Sequence, residues 1–346
     1  MNKIYRLTWN EKRQQYIATA EITRSSGMPQ RCLPLIGLCA LVLPGQVMAL
    51  PTGGSLAAGA AQITQSGNSL TITQSSSKAI INWQTYNIGA SELVNYVQPG
   101  SQAVTLNRIL GNSPSRIDGT IQANGQLIFI NPNGVVFSSG ARVDAAALTV
   151  STQAISDSSF LSGQPVIIGP AQPGAILFNQ GAIQVSPGGA IVLSAAQITN
   201  SGTLQAPGGS ITLNGNGGST TNQGQIDVSS ASAAGGNVAL QGNQVALATG
   251  SMIDARGASG GGTVSAGDKQ ADSGQTATFT MAPGATIDVS ATGTGNGGHI
   301  VTWGGTSNIS GGTLLAQGGS AGGNGGLIET SGGWLDSSSY ASAPRP

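Results

Sequence analysis

Residues 179–213 read NQGAIQVSPGGAIVLSAAQITNSGTLQAPGGSITL, and one pattern comes round twice within them. Asn179-Gln180-Gly181 leads to Ile183 and Val185, and Asn200-Ser201-Gly202 leads to Leu204 and Ala206. After each comes a glycine pair and an apolar run: Gly188-Gly189-Ala190-Ile191-Val192-Leu193, then Gly208-Gly209-Ser210-Ile211-Thr212-Leu213. A third copy follows, Asn222-Gln223-Gly224 with Ile226 and Val228, then Gly235-Gly236-Asn237-Val238-Ala239-Leu240. Degenerate copies place Ile253, Ile287 and Leu314 in the first half and Val264, Ile300 and Ile328 in the second. Aligned on Ile191, Ile211, Val238, Val264, Ile300 and Ile328, the repeat has spacings of 20, 27, 26, 36 and 28 residues.

A period in the twenties with short alternating apolar runs is the mark of a solenoid. No stretch supports a long amphipathic helix, which leaves aside leucine-rich and helical repeats. The expected fold is all-β, a parallel β-helix with two or three short strands per turn. Glycine bends the corners, and inward Ile, Val and Leu stack on their copies one turn later, about 4.8 Å away. The longer spacings read as loops or as an extra strand leaving the coil. One turn cannot bury its own apolar face, so the turns share one core. The open end of such a stack needs a cap, assigned to about residues 55–90 with Ile63, Leu70, Ile72, Ile80 and Trp83 as its apolar set.

Composition narrows the function. Of 346 residues 54 are Gly, and charged residues make up 8%, against a usual share of about 25%. From residue 50 onward seven Lys/Arg face eleven Asp/Glu, a balance of −4. A charge-poor, slightly acidic chain lacks the clustered cations that nucleic acid requires. The sole histidine, His299, sits at a strand end and reads as an exposed repeat residue. Both cysteines, Cys32 and Cys39, fall in the leader, so the remainder has no Cys–His pair or thiolate site to build. No cofactor or metal is expected. Gly293–Gly298 imitates a dinucleotide loop but lacks the strand and helix that motif needs. The one arrangement with catalytic potential is Asp227, Asp254 and Asp288, each following a first-half isoleucine. Stacked, they would form a column of carboxylates on one outer face, as in a β-helical enzyme acting on polysaccharide. The plainer reading is a solvated strand face, which the absence of a nearby basic or aromatic sugar platform favours.

The first fifty residues read as an export segment. Lys3, Arg6, Lys12, Arg13, Arg24 and Arg31 outnumber Glu11 and Glu21, and the apolar run Leu33–Leu43 follows. That run is shorter than the roughly 20 residues of a spanning helix. Val47-Met48-Ala49 supplies small residues for cleavage after Ala49, and bulky Leu38 argues against lipidation at Cys39.

A second stretch carries a resemblance. Asn107-Arg108, Ser115-Arg116-Ile117, Gly119, Ala123-Asn124-Gly125 and Asn131-Pro132-Asn133-Gly134 occur in that order. Upstream stand Ala79-Ile80-Ile81-Asn82-Trp83, Asn87-Ile88-Gly89 and Val97-Gln98-Pro99, and downstream Leu148-Thr149-Val150-Ser151-Thr152. The set resembles the secretion domain of two-partner secretion exoproteins of the filamentous haemagglutinin type. Met1–Leu7 with Trp9-Asn10 resembles the extended signal peptide of large Gram-negative exoproteins. The resemblance implies a right-handed parallel β-helix with an N-terminal β cap and small extra-helical strands. It also implies a secreted, adhesin-like protein that is not an enzyme. Its partner would be an outer-membrane transporter with periplasmic binding domains, and a host-cell or neighbouring-cell surface ligand is a further expectation. Haem acquisition is known in the family, and a single histidine gives it no support. For transporter recognition the resemblance points to Asn131, Pro132, Asn133 and Gly134, with Asn107 and Arg108 as a second determinant. Read from the residues alone, these only shape turns and the cap. The expected division is 1–49 signal peptide, 50–178 cap and first turns, 179–336 β-helix repeats, and 337–346 a disordered tail. Exoproteins of this family are longer, so the chain is expected to be a short member, a truncated one or a piece of one.

Overall fold

The computed structural model describes residues 5–10, 15–20, 49–163, 167–168, 172, 174–267 and 276–344. The chain divides into two units, Met1–Gln46 and Val47–Pro346. In the first, Tyr5–Asn10 and Gln15–Ala20 pair as an antiparallel hairpin. The apolar run Leu33–Leu43 lies outside the described residues.

The second unit is a parallel β-helix. Among the described residues its strands form three long sheets of 12, 11 and 9 strands. One turn shows the path. Ala182–Val185 lies in the first sheet, Ala190–Ser194 in the second and Gln197–Asn200 in the third, and Thr203–Gln205 returns to the first. Each strand pairs in parallel with its equivalent one turn on. The register places Ile191 on Ile211, then Val238, Val264, Ile300 and Ile328. The pattern read from glycine pairs and apolar runs is therefore the physical column. Ile191, Ile211, Val264 and Ile300 are wholly buried.

The glycine pairs have a steric reason. A Cβ on Gly209 would sit 2.0 Å from the carbonyl oxygen of Gly189, and one on Gly236 2.2 Å from that of Gly209. The corners of successive turns stack too closely for any side chain. The third strand of this turn, which lies outside the two-part repeat, is specified by little more than Ile198 and the asparagine that ends it.

The coil begins with antiparallel pairing. Ser55–Ala58 runs antiparallel to Lys78–Trp83, and Ala61–Ser66 to Ser69–Gln74. These are the expected cap strands. Leu70, Ile72 and Trp83 point into the coil, whereas Ile80 faces out into a separate cluster with Leu106, Ile128, Ile130, Ile155 and Phe160. That outer cluster lies beneath a small extra-helical element. Ala154–Ile155 pairs antiparallel with Ile167–Ile168, and the short helix Asp157–Ser162 supplies Phe160. Ser156 caps the helix at its start and Gly163, at φ +89°, ends it.

The coil runs on through residue 178, where Ile176–Asn179 pairs both with Val135–Phe137 and with Gln197–Asn200. One expectation changes. The expected tail is partly a strand, since Tyr340–Ser342 pairs in parallel with Thr313–Leu315. A strand such as Tyr340-Ala341-Ser342 extends a ladder when the preceding edge offers free N–H and C=O groups, whatever the hydrophobicity of its side chains.

Candidate functional site

The residues singled out between 79 and 137 converge on the first turns of the coil, most of them as buried hydrogen-bonding groups. Asn107 is fully buried. It stands in the core column between Ile81 and Phe129. Its amide oxygen accepts the Trp83 indole N–H at 3.0 Å and the Tyr96 hydroxyl at 2.8 Å. Two donors on one atom fix that atom as the oxygen. With the Tyr96 proton so committed, the Tyr86 hydroxyl donates to Tyr96 at 2.7 Å. Tyr86 meets Trp83 edge-on at 5.5 Å and Phe129 at 4.9 Å. Burial drives the pKa of both tyrosines well above the ordinary value, since a phenolate here would lose its water.

Arg108, next in sequence, points the other way. Its guanidinium donates to the Ile155 carbonyl at 3.1 Å and to Asp157 at 2.5 Å. Lys78 donates to the carbonyls of Phe160 and Leu161 at 3.0 and 2.8 Å. These cations pin the extra-helical element, and Lys78 sits where the helix ends and its carbonyls need partners.

Asn131-Pro132-Asn133-Gly134 is a tight turn stapled to the turn before it. Asn131 is fully buried. Its side-chain N–H groups donate to the Ser113 carbonyl at 3.1 Å and the Ser115 hydroxyl at 2.9 Å. Its amide oxygen accepts the Asn133 backbone N–H at 3.0 Å and side-chain N–H at 3.1 Å. Asn133 also donates to the Gly111 carbonyl at 2.9 Å. Gly134 closes the turn onto Asn131 at φ +105°, and a Cβ there would meet the Ile176 carbonyl oxygen at 2.5 Å. Pro132 is exposed. With Asn112, Pro114, Asn133, Gln172 and Ala175 it borders an open groove of ≈ 440 Å³.

The other motif residues behave likewise. Gln98 donates to the Ala103 and Gln126 carbonyls and to the Thr105 hydroxyl, while Gly125 N–H donates to its amide oxygen. Gln98 and Asn124 exchange backbone and side-chain bonds at 2.7 and 2.8 Å. The bonds to Gln126, Gly125 and Asn124 tie one turn to the next, and those to Ala103 and Thr105 brace the corner within a turn.

The column of aspartates is real. Asp227, Asp254 and Asp288 lie in register. Their carboxylates are engaged locally, however. The Oδ1 atom of each accepts the backbone N–H two residues on, from Ser229, Arg256 and Ser290 at 2.8, 3.0 and 2.9 Å. Arg256 pairs with Asp254 at 2.5 Å and lies 3.8 Å from Asp288. The hydrogen bond to Asp254 raises its guanidinium pKa further. Asp254 and Asp288 are 8% and 9% exposed. Such carboxylates shape corners, and the enzymatic reading loses its support. His299 is exposed at the start of its strand, as expected.

A second column of polar side chains lies in the third sheet. The asparagines of the quoted Asn-x-Gly triplets are buried and linked. Asn179 donates to Asn200 and Asn200 to Asn222, both at 2.8 Å. The spacing was visible in the sequence, and its meaning required knowing that a strand ends there.

A parallel β-helix, closed at its start by antiparallel strands and preceded by a leader, defines the class of exported β-solenoid domains. The chain belongs to the TPS secretion domain family, whose model matches residues 48–289. Residues 1–50 match the extended signal peptide of the type V secretion system. The chain is thus a two-partner secretion exoprotein, exported by the Sec route and then across the outer membrane. The secretion domain of HMW1 from Haemophilus influenzae has a similar fold, with a TM-score of 0.54 and 24% identity over 85% of this chain and 99% of that one. Two heme/hemopexin-binding proteins of Haemophilus influenzae are 36% identical over 104 residues and 40% over 84. These matches cover 30% and 24% of this chain but 12% and 9% of the relatives.

Proposed function

We propose that residues 50–178 are read in the periplasm by an outer-membrane transporter with periplasmic binding domains, and that the same residues then start folding of the coil outside. The chain is, on this reading, a non-enzymatic, adhesin-like exoprotein. The supporting observation is the division among the six candidate residues. Asn107, Asn131 and Gly134 are buried in the folded domain, whereas Pro132 is exposed. Buried groups are available to a transporter only before folding. The segment 104–137 is therefore recognised as an extended chain, and its asparagines become staples on release. Processing after Ala49 precedes this step. A chain from residue 50 onward without cysteine carries no disulfide to hinder threading, and stacked turns fold by propagation from one end.

The test is secretion with and without the cognate transporter, for wild type, Asn107→Ala and Asn133→Ala, with circular dichroism of each purified chain. Transporter-dependent export lost in variants that retain β signal supports recognition through these side chains. Export without any transporter overturns the proposal.

A further inference from the structure

Glu92 is a carboxylate with 4% exposure in the first turn of the coil. Its Oε2 accepts the Gly89 N–H at 2.6 Å, and its Oε1 accepts the Ala49 N–H at 2.8 Å. Among the described residues no Lys or Arg forms an ion pair with it. A buried anion held by two neutral donors is incompletely compensated. One of those donors is the last residue of the expected signal peptide.

We infer that Glu92 is the binding site for the α-ammonium group that signal cleavage creates. The inference rests on processing after Ala49. Hydrolysis of the Ala49–Leu50 peptide bond consumes one water, leaves the carboxylate on the departing signal peptide and frees the nitrogen of Leu50 as an ammonium. Leu50 is itself 4% exposed and part of the coil core. Its side chain holds it in place, so its nitrogen stays within one residue, about 3.8 Å, of the position that Ala49 vacates. The ammonium moves onto Oε1 and brings a full charge where a neutral N–H stood, and charge-assisted bonds are about twice as strong. Surroundings favour the exchange. Gly89, which feeds the other oxygen, lies under Gly119, where a Cβ would meet the Gly89 carbonyl at 2.2 Å and the Glu92 carbonyl at 2.4 Å. The backbone from Gly89 to Glu92 that carries the carboxylate is therefore packed tightly against the next turn. The processed chain closes its first turn with an ion pair that the precursor lacks, so removal of the signal peptide stabilises the cap.

The experiment uses the secreted, processed chain. Mass spectrometry of its N-terminal peptide comes first, and a terminus other than Leu50 overturns the inference without touching transporter-dependent export, which is read from the same supernatant. Next, the α-amine is acetylated in wild type and in Glu92→Gln, and the melts are compared by circular dichroism. Acetylation is expected to lower the wild-type midpoint by on the order of 5 °C and to leave Glu92→Gln unchanged. An equal shift in both overturns the inference. Should Glu92→Gln fail to fold, the labelling rate of the wild-type amine decides. Labelling about tenfold slower in the native chain than in urea supports pairing, and equal rates overturn it.

Discussion

The indole N–H of Trp83 donates to the amide oxygen of Asn107 at 3.0 Å inside the core. Tyr96 donates to the same oxygen. Replacing Asn107 with Ala strands both donors, at roughly 1–3 kcal/mol each. Urea unfolding of purified Asn107→Ala is expected to show a lowered midpoint with the early turns affected most. An unchanged midpoint would remove Asn107 as a fold determinant and leave any export defect to recognition.

The tyrosines beside it predict a pH response. Burial raises the folded-state pKa of Tyr86 and Tyr96 above the unfolded value of about 10. The folded state thus holds those protons more tightly. The associated stability is complete below about pH 10 and falls as pH rises beyond it. Alkaline titration should show phenolate absorbance from these two residues arriving with loss of β signal. Ionisation in a chain that remains folded would contradict the buried network.

Gly134 predicts a sharper local effect. With φ at +105° and the Ile176 carbonyl 2.5 Å from any Cβ, Gly134→Ala should cost about 1–3 kcal/mol. Pro132→Ala, at an exposed position, should melt within about 0.5 kcal/mol of wild type. Comparable losses in both would show that the turn is not held as described.

Arg108 separates the coil from its appendage. Arg108→Ala removes the bonds to Ile155 and Asp157. The pair is partly exposed, at 21% and 52% of side-chain surface, and global stability should change by no more than about 1 kcal/mol. Amide exchange across residues 154–163 should nevertheless accelerate. Unaltered exchange there would mean that Lys78 and Phe160 suffice.

The stack predicts two core effects of different kinds. Ile211→Asp buries an unpaired charge and should cost more than about 4 kcal/mol, a loss that a circular dichroism melt reads directly. Asn200→Ala cuts the asparagine column between Asn179 and Asn222, at about 1–3 kcal/mol. Incubated with polysaccharide, neither wild type nor Asp254→Asn should release reducing sugar. Sugar release by wild type that disappears in Asp254→Asn would restore the enzymatic reading.

The sequence by itself determined the repeat, its register and its class. Ile191 through Ile328 lie in one column because the recurring apolar residue after each glycine pair is covered by its copy in the neighbouring turn. Glycine was legible because its requirement is local, a corner without room for Cβ. What only the tertiary structure decided is which way each polar side chain points and what it meets. Asn107 and Arg108 are neighbours in sequence, yet alternation along a strand sends one into the core and the other onto the outer helix. The same holds for the aspartates. Their column followed from the repeat, while their engagement by backbone N–H groups and Arg256 depended on corner geometry. Partners such as Trp83 with Asn107, or Glu92 with Ala49, are 24 and 43 residues apart. Only the winding of the coil brings them together, because hydrogen bonding acts over about 3 Å and carries no trace in local composition.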